Sequence, residues 1–103
     1  MVILNAFSLN MVAGFPATIR VREVSIEEAA RIAASSTSAV GHADTAAVFS
    51  GVLGTPVEFN RASVLLPAGA SALVGQYKGP RLPEGATVLP PGATIQWMVV
   101  EVD

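Results

Sequence analysis

Helix is confined by its own punctuation to one stretch of this chain, residues 25–54, and the segments on either side must be strand or turn. Ser25-Ile26-Glu27-Glu28 has the spacing of a capping box. In such a box the Ser hydroxyl accepts from the backbone N–H three residues on, and the Glu carboxylate reaches back to the Ser N–H. Glu27 and Glu28 also suit the positive end of the helix dipole. This first helix is expected to run from Ser25 to about Ala34 and to end in the small polar loop Ser35-Ser36-Thr37. A second is expected from Ser38 or Gly41 to Leu53, with Gly54 as the residue past its end and Pro56 forbidding continuation. Ala46, Phe49 and Leu53 fall three or four apart on one apolar face, and His42 lies one turn before Ala46 on that side.

The flanks carry strand patterns. Val2–Phe7 is apolar and β-prone. Thr18–Val24 alternates, with Arg20 and Arg22 on an exposed side. Ser63–Leu66, Ala70–Gln76 and Ile95–Val102 are the remaining strand candidates. A Leu-Pro-x-Gly-Ala pattern starts at Leu66, Leu82 and Leu89, and the spacings of 16 and 7 residues exclude a solenoid. These are recurrent turns, with Pro expected in the second turn position and Gly in the fourth. The order predicts an α/β (α+β) fold, one domain over residues 1–103. Its core is a mixed sheet of about five strands with the helices packed on one face. The other face needs cover.

Charge says what could provide it. Only 14% of residues are charged and 51% are apolar, against about 25% charged in an average domain. A chain this small then exposes apolar surface, so a homodimer is expected. With no cysteine, disulfides and Cys-based metal sites are excluded. That agrees with a reducing cytoplasm, the expected location, which is the host cell's if the carrier is a virus. The first 19 residues carry no charge, yet they lack a basic segment and are interrupted by Asn5, Ser8, Asn10, Gly14 and Pro16. A signal peptide is therefore not expected. No run approaches the roughly 20 apolar residues of a membrane span. A net charge of −2 argues against duplex nucleic acid as partner. Between Phe59 and Pro83, however, Arg61, Lys78 and Arg81 occur with no acid, a local +3 suited to a small polyanion.

Dinucleotide, phosphate-loop, zinc-helix and nucleophile-elbow motifs are all missing. One histidine and eight scattered carboxylates lack metal-ligand spacing, so neither metal nor cofactor is expected. His42 is the single histidine, and an imidazole ordinarily titrates at about 6.5. It is therefore the default acid–base candidate. On residue type alone a structural histidine on a helix face is the stronger reading. Likewise Asn5 and Asn10 serve as turn caps, and Arg61 as a partner for Glu58.

A set of blocks narrows this. Asn5-Ala6-Phe7-Ser8-Leu9-Asn10-Met11 is followed by Gly41-His42, with Thr45 and the Phe49–Leu53 helix end behind it. Then come Asn60-Arg61 and the run from Gly75 to Gly85, GQYKGPRLPEG, and the chain closes on an apolar segment ending Val102-Asp103. In this order the blocks resemble the ring nucleases, viral type III anti-CRISPR proteins and their host homologues, first met as an archaeal-virus family of unknown function. The resemblance implies dimers with a ligand pocket at the subunit interface. It implies metal-independent cleavage of cyclic tetra-adenylate to linear di-adenylate with 2′,3′-cyclic phosphate ends, which switches off type III CRISPR signalling. His42 is then the general acid and Arg81 the phosphate-contacting arginine. Glu84 orients His42, holds a ribose hydroxyl or balances Arg81. Arg61 binds ligand. Asn5, Ser8 and Asn10 supply neutral donors and acceptors where the first strand ends, and Gln76 and Lys78 lie in the same region. Two alternatives stay open: a pocket that sequesters cyclic oligoadenylate without cleaving it, and a dimer that is purely structural.

Overall fold

In the computed structural model, which describes residues 1–103, the capping box forms in half. Ser25 Oγ accepts from Glu28 N at 3.1 Å, an interaction that contributes about 1 kcal/mol in such helices. Helix α1 spans Ile26–Ala34. The Glu28 carboxylate does not return to Ser25; it binds Arg22 Nη1 at 3.0 Å. Helix α2 spans Ala43–Leu53, stopped by Gly54 in the left-handed conformation (φ 67°). It starts later than Ser38 or Gly41, with His42 as the capping residue.

Five strands complete the chain: β1 (Val2–Leu4), β2 (Ile19–Glu23), β3 (Thr37–Ser38), β4 (Ser71–Lys78) and β5 (Thr94–Val102). Their order in the sheet is β2-β5-β4-β1-β3. The half containing β3, β1 and β4 is parallel, with Val2 opposite both Thr37 and Ala72. β5 runs antiparallel to both of its neighbours, β4 and β2. The sheet is thus mixed, as expected.

Alternation sorts the strand residues to two faces. Ile3, Leu73, Trp97 and Val99 pack under Ala29 and Ala33 of α1 and Ala46, Phe49 and Leu53 of α2. Both helices therefore lie on one face. Phe49 and Trp97 meet edge to face, with centroids 4.8 Å apart. Gly75 lies beneath them, where a Cβ would fall 2.5 Å from Trp97 Cζ3 and 2.6 Å from Phe49 Cζ. Only glycine lets the ring pair settle this close to the sheet.

The opposite face presents Leu4, Ala72, Val74, Val100 and Val102, capped by Val12 and Leu66 from two loops. Those loops join through Ala13 N to Leu66 O (3.1 Å) and Leu66 N to Met11 O (2.6 Å). Beyond them a groove of about 430 Å³ stays open, walled by Phe7, Val21, Val74, Met98 and Val100.

Four further expectations are corrected. Thr37–Ser38 is a strand, where Thr37 is expected in a loop and Ser38 at a helix start, because Thr37 N donates to Met1 O just before β1 and Ala39 N to Ile3 O within it. Ser63–Leu66 is not a strand; only Leu66 pairs, by one bridge to Val12, while its side chain fills the open-face layer. β1 stops at Leu4 rather than continuing to Phe7, since the Asn5 side chain turns to accept from Gly41 N at 3.3 Å. The recurrent turns are displaced by one residue: Ala70, Ala86 and Ala93 donate to Pro67, Pro83 and Pro90. Glycine thus takes the third position, with φ of 90°, 78° and 79° at Gly69, Gly85 and Gly92. A positive φ at that position is the reason glycine recurs there.

Candidate functional site

The three parallel strands β3, β1 and β4 end at the same edge of the sheet, which is where open sheets place ligands. β3 runs on through Val40 and Gly41 to His42, β1 into Asn5, and β4 into the loop bearing Arg81 and Glu84. Three distant stretches of sequence are thereby brought to one edge.

His42 is fixed by its backbone. Its carbonyl accepts from Ala46 N at 3.0 Å, the first hydrogen bond of α2. Its φ and ψ are −133° and 128°, and its side chain makes no capping hydrogen bond. The exposed imidazole is therefore not spent on the helix. Just before it, Gly41 N donates to Asn5 Oδ1. A Cβ on Gly41 would lie 3.6 Å from Arg61 Cγ, so the Arg61 stem runs alongside this turn.

A cleft of about 840 Å³ opens here, lined by His42, Asp44, Thr45, Tyr77, Arg81 and Glu84 among others. Tyr77 Oη donates to the Pro80 carbonyl, and Gly85 N donates to Asp44 Oδ1 at 3.2 Å. The first-turn N–H groups of α2 have no helical partner and lie at the same end. The expected catalytic three, His42, Arg81 and Glu84, thus share one cleft. Asn5 and Arg61 adjoin it through Gly41.

The other expected residues lie elsewhere on the chain. Gln76 and Lys78 project from the opposite face of β4 to Tyr77, and Gln76 borders the apolar groove together with Asn5. Ser8 caps the 3-10 turn Leu9–Met11, accepting from Asn10 N at 3.2 Å, and both side chains are exposed.

Ion pairing divides the cations. The three ion-pair contacts all belong to Arg20 and Arg22: Arg20–Asp103 at 2.7 Å, Arg22–Glu28 at 3.0 Å and Arg22–Glu101 at 3.9 Å. The Asp103 hydrogen bond and charge, with Glu101 behind them, raise the Arg20 pKa above its ordinary value. Arg31, on α1, and Arg61, Lys78 and Arg81 have no carboxylate partner, and Arg61 does not pair with Glu58. Inside the cleft Asp44 is engaged by Gly85, whereas Glu84 makes no hydrogen bond or ion pair. Groups of three or more His, Asp and Glu side chains, as a metal ion would need, do not occur. No helix is long and apolar enough to cross a membrane.

Tyr77, Asp44 and Thr45 were not singled out by sequence reasoning as site residues. Tyr77 had a signal: if Gln76 and Lys78 share one strand face, the residue between them faces the other. Asp44 had only its place in the first turn of a helix, which reads as dipole compensation.

No curated protein sequence matches the chain. Among solved structures, B116 of Sulfolobus turreted icosahedral virus superposes with a TM-score of 0.80 at 28% identity, covering 97% of each chain. Residues 1–91, which hold every cleft residue named above, match the STIV B116-like family. The chain belongs to the STIV B116-like family.

Proposed function

We propose that this protein is a metal-independent ring nuclease that opens cyclic tetra-adenylate to linear di-adenylate, acting as a homodimer. The observation that carries the reading is the convergence of His42, Arg81 and Glu84 on one cleft at the carboxyl ends of the parallel strands. In the proposed reaction a ribose 2′-hydroxyl attacks the adjacent phosphorus, forming the 2′,3′-cyclic phosphate while the bond from phosphorus to O5′ breaks. His42, protonated, delivers its proton to the departing O5′. Glu84, the cleft carboxylate without a partner, accepts the proton lost by the 2′-hydroxyl. Arg81 donates paired hydrogen bonds to the phosphate as negative charge builds there. The nucleophile already resides in the substrate, so alignment supplies much of the acceleration.

Symmetry favours the dimer. Arg61 and Arg81 are free of carboxylates in each copy. A two-fold axis doubles these two guanidiniums, matching the four phosphates of the ring. Incubating the protein with labelled cyclic tetra-adenylate in excess EDTA tests the proposal. Linear di-adenylate ending in cyclic phosphate is the expected product, and Arg81→Ala should lower kcat/KM by about 10²–10³-fold. Arg81→Lys should recover only part of that, because an ammonium cannot make the paired contact. Tight binding of the ring without turnover by the native protein would instead identify a sequestering module.

A further inference from the structure

The loop carrying Arg81 and Glu84, residues 79–92, is joined to the helical layer by one hydrogen bond, Gly85 N to Asp44 Oδ1 at 3.2 Å. The turn at its tip closes on itself through Ala86 N to Pro83 O at 3.1 Å. That leaves the Gly85 N–H, at φ 78°, free to reach outward. Its acceptor stands in the first turn of α2, two residues after His42. A carboxylate is favoured there by the helix dipole, and a charged acceptor makes the stronger bond. The far half of the loop is held differently: Thr87, Val88 and Leu89 lie over Val48 and Val52 of α2, with a small apolar cavity between.

We propose that Asp44 is a positioning residue whose carboxylate latches the 83–86 turn to α2, fixing Arg81 and Glu84 against His42. This rests on the reading of those three residues as one catalytic site. Asp44 acts through the Gly85 N–H that its Oδ1 accepts. Its engagement with Gly85 also leaves Glu84 as the cleft carboxylate free to exchange a proton.

Two variants test the latch: Asp44→Ala removes the acceptor, and Asp44→Asn keeps an oxygen that can accept without the charge. Exchange of the Gly85 amide, followed by NMR, should rise about tenfold in Asp44→Ala, the scale of one lost hydrogen bond. Residues 87–92 should not change. In Asp44→Asn the Gly85 exchange should stay within about threefold of the native protein, and kcat for cyclic tetra-adenylate should follow the same order. Unchanged Gly85 exchange in Asp44→Ala overturns the latch. So does loosening with kcat intact, or equal loosening in both variants. If Asp44→Ala does not fold, tenfold faster Gly85 exchange in Asp44→Asn overturns it by itself. Local loosening supports the latch even if the native protein opens no ring, so failure of the nuclease reading is seen separately.

Discussion

Replacing His42 with alanine is expected to slow opening of cyclic tetra-adenylate by about 10²–10⁴-fold while leaving the fold intact. The two halves of this expectation have separate grounds. The imidazole lines the cleft beside Arg81 and Glu84, so its loss removes the proposed proton donor to O5′. It makes no capping hydrogen bond, so α2 loses nothing when it goes. The backbone bonds that place residue 42, Gly41 N to Asn5 Oδ1 and Ala46 N to the residue 42 carbonyl, survive the substitution. Single-turnover cleavage and thermal melting on the same preparation check both halves. Affinity for the ring should change far less than kcat. Full turnover by the variant would remove His42 from the mechanism.

The largest effect on stability is expected at Phe49. Its ring is 1% exposed and meets Trp97 at 4.8 Å directly above Gly75. Truncation to alanine leaves a hole whose floor is glycine backbone, with no side chain able to swing in. A cost of about 3–5 kcal/mol follows from comparable core truncations. That is a large share of the roughly 5–15 kcal/mol that holds a domain together. Trp97 should loosen as well, since its buried Nε1 has no hydrogen-bond partner and packing alone retains the indole. Melting followed by circular dichroism should show Tm falling by at least about 12 °C. A drop below about 4 °C would mean the core re-forms around the loss, against this account of the Phe49–Trp97–Gly75 stack.

Much of the fold was legible because its signals are local. The Ser25 cap and the Gly54-Thr55-Pro56 stop place both helices by chemistry acting within a few residues. β2, β4 and β5 carry alternation or long apolar runs, and each formed within two residues of its expected limits. The errors fall where tertiary placement overrides local preference. Thr37–Ser38 is short and polar, and only the adjacent edge of β1 makes it a strand. Val64 and Leu66 look like strand residues because they are apolar and two apart, but they serve as a lid on the open sheet face.

The site divides in the same way. Residue type and a resemblance point to His42, Arg81 and Glu84, and the three meet in one cleft. The division of Gln76 and Lys78 from Tyr77 across β4 follows from strand alternation, and so was open to inspection. The role of Asp44 was hidden because its partner is a backbone N–H, a group that every residue but proline carries. Nothing in side-chain chemistry distinguishes Gly85 as that partner before the turn is folded.

The strand order also governs how the molecule comes into being. β1, the second residue of the chain onward, borders β3 on one side and β4 on the other. During synthesis β1 precedes both of these neighbours, and its pairing with β4 must wait until residue 72 has been made. At about 5–20 residues per second, that interval lasts several seconds. The edge that gathers His42 and Arg81 is made by residue 84, whereas the middle strand β4 gains its other neighbour, β5, only from residue 94 onward. The cleft residues are therefore all made before Trp97 and Val99 close the helix-side core beneath them, so the edge waits on the last strand for its support.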